Sequence, residues 1–134
     1  MTAWLFRIRI CLGLAGVGLG IFMGIRQDFV LVPVHAHLNL IGFVTLFLAA
    51  LYYRVVPQAA RHPLALYHAA ISVAGAVLFP LGIACVLLGG RDRFLPFAIA
   101  GALIVLLGMF LFVVIIFRTS SIRWMEEAED GTHR

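Results

Sequence analysis

The residues most able to do chemistry lie in one short stretch, Pro33-Val34-His35-Ala36-His37-Leu38-Asn39-Leu40-Ile41-Gly42-Phe43. It sets two imidazoles and a carboxamide into an otherwise apolar run. A neutral imidazole nitrogen is a common metal ligand. Polar and ionisable groups at membrane depth are costly and mark function by default. The plainer reading is that His35 marks the headgroup boundary. At about 100° per residue, His35 shares a helix face with Asn39, Gly42, Leu46, Ala49 and Tyr53. That stripe is the richest in polar and small residues, so it should face protein rather than lipid. His37 points about 200° away, on the face of Ile41, Thr45 and Tyr52. On a regular helix such a pair cannot grip one ion. Chelation of one copper or zinc by both would need a helix that starts later and leaves His35 and His37 extended.

The other histidines are less suggestive. His68 opens a later apolar run, in line with Ser72 and Gly75, and reads as an interfacial residue near Tyr52 and Tyr53. His62 falls in a loop and His133 in the tail, both expected to be solvated. Cys11 and Cys85 sit at different depths if their runs cross in one direction, too far apart for a disulfide.

The elements that carry these residues follow from composition. Of 134 residues, 63% are hydrophobic and 12% charged. A soluble domain is about half apolar and a quarter charged, and a chain this short cannot hide such an excess from water. Lipid is therefore the expected solvent. Four apolar runs, about 4–25, 34–56, 64–89 and 94–117, each exceed the roughly 20 residues that cross a bilayer. The connections carry turn chemistry: Arg26-Gln27-Asp28, then Pro57 to Pro63, then Gly89-Gly90-Arg91-Asp92-Arg93. Short links predict an all-α, antiparallel up-down four-helix membrane bundle in a single domain over 1–134, with a frayed acidic tail over 119–134. Arg7 and Arg9 before the first run could suggest a signal peptide. No small-x-small cleavage site with a polar exit follows, so a retained helix is expected.

All ten basic residues are arginine. Arg7, Arg9, Arg54, Arg61, Arg118, Arg123 and Arg134 fall on one side of this topology and Arg26, Arg91 and Arg93 on the other. The asymmetry predicts an inner-membrane protein of bacterial type with both termini cytoplasmic. No basic cluster is interleaved with exposed aromatics, so nucleic acid is not an expected partner. Gly16, Gly20 and Gly24 form a doubled GxxxG with Gly13 nearby, and Ser72, Gly75, Gly82 and Gly89 line one side of the third run. Both read as packing seams, with Pro80 as a predicted kink. Whether the first seam packs within one copy or between copies is open at this point.

The stretch from His35 to Thr45, followed by Leu51-Tyr52-Tyr53 and Pro57, resembles the second transmembrane helix of haem–copper oxidase subunit I. The chain looks most like small four-helix relatives of that subunit, which share His-x-His-Leu-Asn-Leu and a histidine seven residues before a glycine, as His68 and Gly75 are here. The resemblance covers about twenty-five residues. It implies a low-spin haem b ligated by His35, near the outer end of the helix, with His37 on the variable position and Asn39 beside it. It also implies departures. The family's oxygen-reducing centre and second axial histidine come from later helices, so this chain is not expected to be a complete terminal oxidase, and enzyme activity is left open. No Cys-x-x-Cys-His for haem c is present.

The resulting expectation is a membrane protein, and a homodimer, that binds b-type haem through His35, with His37 as second candidate. Its role would be electron transfer, haem handling or sensing of a diatomic gas, with a respiratory-chain partner for the first. Arg26, Arg91 and Arg93 could meet haem propionates, although fixing topology explains each of them. Two alternatives stand beside it: copper or zinc on His35 and His37, and a cofactor-free accessory subunit docking through the glycine seam.

Overall fold

The computed structural model describes the backbone of residues 2–132 and the side chains of residues 7–120. Its helices are α1 (Thr2–Arg26), α2 (Val32–Val55), α3 (Pro57–Arg61), α4 (Leu64–Gly89) and α5 (Arg91–Thr132). No strand occurs among the described residues. Four of the helices contain spans long and apolar enough to cross a membrane, so length and composition make this a multi-pass membrane protein. Leu14, Ile21, Ile25, Leu88, Phe110 and Phe117 are all more than half exposed, as lipid contact allows.

The helices pack in chain order. α1 lies on α2, α2 meets α4, and α4 and α5 form the most closely packed pair. Small residues set the last seam: a Cβ on Gly82 would lie 2.6 Å from Ala98 Cα, and one on Gly101 would lie 2.7 Å from Phe79 Cα. Ser72 and Gly75 also face α5, against Gly108 and Val105. α4 continues through the fully buried Pro80 as one helix. The α4–α5 link is the single residue Gly90, whose φ of 106° favours glycine.

Helix two is not regular. Leu38–Thr45 is π-helical, flanked by α-helical Val32–His37 and Leu46–Val55. Its i→i+5 bonding turns each residue through less than the α-helical 100° or so, which shifts the phase of the buried face. His35, Asn39 and Gly42 meet α1, whereas Leu46 and Ala49 line a space against α4 and α5. The expected stripe does face protein, but it changes partner half-way down.

Three boundaries differ from expectation. The second connection is not loop throughout, because Pro57 opens the short helix α3 in a first turn that tolerates proline. The fourth helix begins at Arg91 rather than near 94. It also runs on to Thr132, where a frayed tail was expected from 119. Arg123, Met125, Glu126, Glu127 and Ala128 favour helix, and no proline or glycine intervenes before Gly131.

Candidate functional site

α1 and α2 together hold His35. Its half-buried ring packs on Gly20, where a Cβ would come within 2.7 Å of Cε1, and its Nδ1 lies 2.7 Å from the Gly16 carbonyl oxygen. A carbonyl only accepts, so Nδ1 carries the proton and donates. Among the described residues no hydrogen bond engages Nε2. The Asn39 amide donates to the His35 carbonyl at 2.9 Å. Its longer approach to Nδ1, 3.4 Å, competes with the Gly16 bond and loses on distance. Gly16 makes room for the Asn39 amide, which a Cβ would meet at 2.7 Å. Gly13, Gly16 and Gly20 therefore form a seam inside one copy of the chain. A Cβ on Gly24 would meet nothing within 4 Å, so the expected third member does not belong to it.

His37 points elsewhere. Its Nδ1 donates to the Pro33 carbonyl at 2.6 Å, and its ring meets Phe79 of α4 edge-on at 4.7 Å. The two rings are thus held against opposite neighbours, α1 and α4. Both lie on helix rather than extended chain, which removes the geometry that chelation of one ion by both required. No group of three or more His, Cys, Asp or Glu suited to a metal occurs among the described residues. Along the α1–α2 seam, Ile10, Gly13, Leu14, Val17, Asn39 and Phe43 line an open groove of about 370 Å³, which shares Asn39 with the His35 site but is not lined by His35 itself. Arg26, Arg91 and Arg93 are exposed, and Arg93 lies 5.5 Å from the Phe94 ring centroid.

A second polar cluster places His68 against Tyr53, as expected, but in the interior of the bundle. His68 is 4% exposed, its Nδ1 lies 2.8 Å from the Tyr53 hydroxyl, and its ring stacks on Phe112 at 4.9 Å and 17°. The interfacial reading of His68 therefore gives way to a buried one. Arg9 is buried as well. Tyr52 donates to the Thr119 hydroxyl at 2.9 Å, which itself donates to the Ile115 carbonyl. The available signal was Tyr53 at the end of the His35 stripe together with His68 in line with Ser72 and Gly75. His62 is half-buried and accepts the Leu64 N–H at 3.2 Å, so it caps α4 rather than standing in solvent. His133 lies outside the described residues. Both described cysteines are free.

Compared with family models, curated proteins and solved structures, the chain matches none.

Proposed function

We propose that this chain is a membrane-embedded b-type haem-binding protein with His35 Nε2 as axial ligand, serving electron transfer, haem handling or sensing of a diatomic gas. The observation that carries the reading is the 2.7 Å bond from His35 Nδ1 to the Gly16 carbonyl. Metal-bound histidines characteristically donate the other ring N–H to a carbonyl or carboxylate, which fixes tautomer and ring orientation. The residues present fit the group: the His35 Nε2 has no hydrogen-bond partner among the described residues, the same α1–α2 seam carries an apolar groove, and the likeness of the His35–Thr45 stretch to oxidase subunit I names the same ligand. Haem would supply a one-electron couple or an open coordination position, tuned by axial ligands and burial. The chain's part is to hold the imidazole against Gly20, orient it through Gly16 and keep water away with Leu14, Val17 and Phe43.

His37 is the second candidate ligand, but it faces Phe79 and does not share an iron with His35. A six-coordinate haem then takes its second imidazole from another copy, and a two-fold homodimer is the simplest arrangement. The arginine asymmetry supports a bacterial-type inner membrane with cytoplasmic termini and His35 near the outer face. An electron-transfer role would take a respiratory-chain partner. Copper or zinc on His35 and His37 lacks the convergent geometry that one copy would need.

Detergent-purified protein should be red, with a Soret band at about 400–430 nm. His35→Ala should abolish or strongly shift that band, and His37→Ala should do less. An unaltered spectrum for His35→Ala sinks the assignment, and a colourless protein holding copper or zinc replaces it with the metal reading. Mass in detergent with and without haem tests the dimer. A monomer with a bis-histidine low-spin haem would overturn that part.

A further inference from the structure

Tyr53 stands between two spaces. With Arg54, Pro57, Ala60 and Arg61 it lines an open depression of about 540 Å³ at the arginine-rich end of the bundle. Its hydroxyl meets His68 Nδ1 at 2.8 Å. His68 in turn lines a partly enclosed chamber between α2, α4 and α5, together with Thr45, Ala49 and Ser72. The chamber measures about 20 Å³, above the 10–15 Å³ or so that one water occupies.

The chamber is equipped to hold that water. A phenol is the better donor and an imidazole nitrogen the better acceptor, so Tyr53 donates to Nδ1 and His68 carries its proton on Nε2. Nε2 has no hydrogen-bond partner among the described residues. Thr45 Oγ1 already donates to the Leu40 carbonyl at 2.8 Å and is left as an acceptor. Ser72 Oγ can donate or accept. Three polar side chains meet the two to four partners a buried water needs. The stack on Phe112 holds the imidazole plane, so the ring transmits a proton rather than swinging away.

We propose that Tyr53 and His68 form a proton-exchange relay between the arginine-rich end of the bundle and a single water held in the partly enclosed chamber by His68, Ser72 and Thr45. The relay is independent of the haem reading. In one passage, a hydronium ion in the depression gives its proton to the Tyr53 oxygen and becomes water as the original Tyr53 proton moves to His68 Nδ1. The Nε2 proton moves to the chamber water. Tyr53 and His68 end neutral, the imidazole in its other tautomer, and the chamber water has gained one proton. The reverse passage restores the start, so the unit exchanges protons without an added reactant.

The test uses the full chain, labelled with 15N-histidine, in lipid bilayers, read by solid-state NMR. Water magnetisation should reach His68 Nε2, and Ala49→Val, which fills the chamber, should abolish that transfer. After a change to D₂O, Tyr53→Phe should slow exchange at His68 by about tenfold or more, because exchange then waits on local opening. Ser72→Ala, which removes one partner of the water with little change in packing, should weaken the transfer and gives a second reading if Tyr53→Phe fails to fold. A His68 signal with no water transfer in the wild type overturns the proposal. So does exchange in folded Tyr53→Phe at the wild-type rate, or transfer in Ser72→Ala as strong as in the wild type.

Discussion

In the α1–α2 seam, an added Cβ on Gly16 or Gly20 would run into the Asn39 amide or the His35 ring; in the α4–α5 seam, one on Gly82 or Gly101 would run into the backbone of Ala98 or Phe79. The first pair of helices is spaced to admit polar side chains, the second to bring main chains together. Side chains can rotate away from an intruder and main chains cannot. The α4–α5 hairpin is therefore the rigid half of the bundle. The α1–α2 seam is the adjustable half, in which a small change moves His35 rather than unfolding the protein. In lipid, where apolar surfaces gain little by meeting each other, close approach of this kind is a main source of helix association.

Gly101→Leu should separate the comparison most sharply. Its side chain meets the Phe79 backbone, and overpacking a tight seam costs about 1–3 kcal/mol, occasionally more. A thermal melt in detergent should show the largest loss of any variant considered, and a melt like the wild type would show that the hairpin is not tightly packed. Gly90→Ala comes next. The single-residue link needs the positive φ, and strained backbone of this kind costs about 1–3 kcal/mol. The same melt checks it, and no change would mean that the turn can be remade with negative φ.

Gly20→Ala tests the adjustable seam. The nearest atoms to its Cβ all belong to the His35 ring, so the stability loss should stay near 1 kcal/mol, while the His35 side-chain resonances shift. A loss as large as that of Gly101→Leu would erase the distinction between the seams. Tyr52→Phe removes the bond to Thr119 and should cost about 1 kcal/mol, the usual net worth of a hydrogen bond, read by denaturation in mild detergent. Gly24→Ala should be the smallest of all. Nothing lies within 4 Å of the added methyl, and alanine is the better helix former by about 1 kcal/mol, so stability should hold or rise slightly. Measurable destabilisation would place Gly24 back in a seam, against another copy of the chain.

The histidines show how far spacing carries. His35 and His37 diverge as two steps of about 100° require, and the phase near the start of helix two is set by local geometry alone. The same arithmetic put Tyr53 on the stripe of His35, yet the two end against different helices. The π-helical segment between them breaks the period, and nothing in Leu38-Asn39-Leu40-Ile41-Gly42-Phe43-Val44-Thr45 announces i→i+5 bonding in a sequence. Glycine spacing behaves alike: Gly16, Gly20 and Gly24 are equivalent in sequence, but α2 contacts only the first two.

Hydropathy and arginine placement determined the membrane class, the four spans and their order, because a bilayer imposes one length and one polarity on every crossing segment. Local period determined that the imidazoles of His35 and His37 diverge. Only the tertiary structure decided what each meets. A carbonyl of α1 accepts the His35 hydrogen bond, an aromatic ring of α4 meets His37, and Tyr53 of α2 reaches His68 of α4. A helix presents polar groups at known angles, but their partners lie on other helices, and seam packing, chain order and a local change of helical pitch set which of them arrive within 3 Å or so.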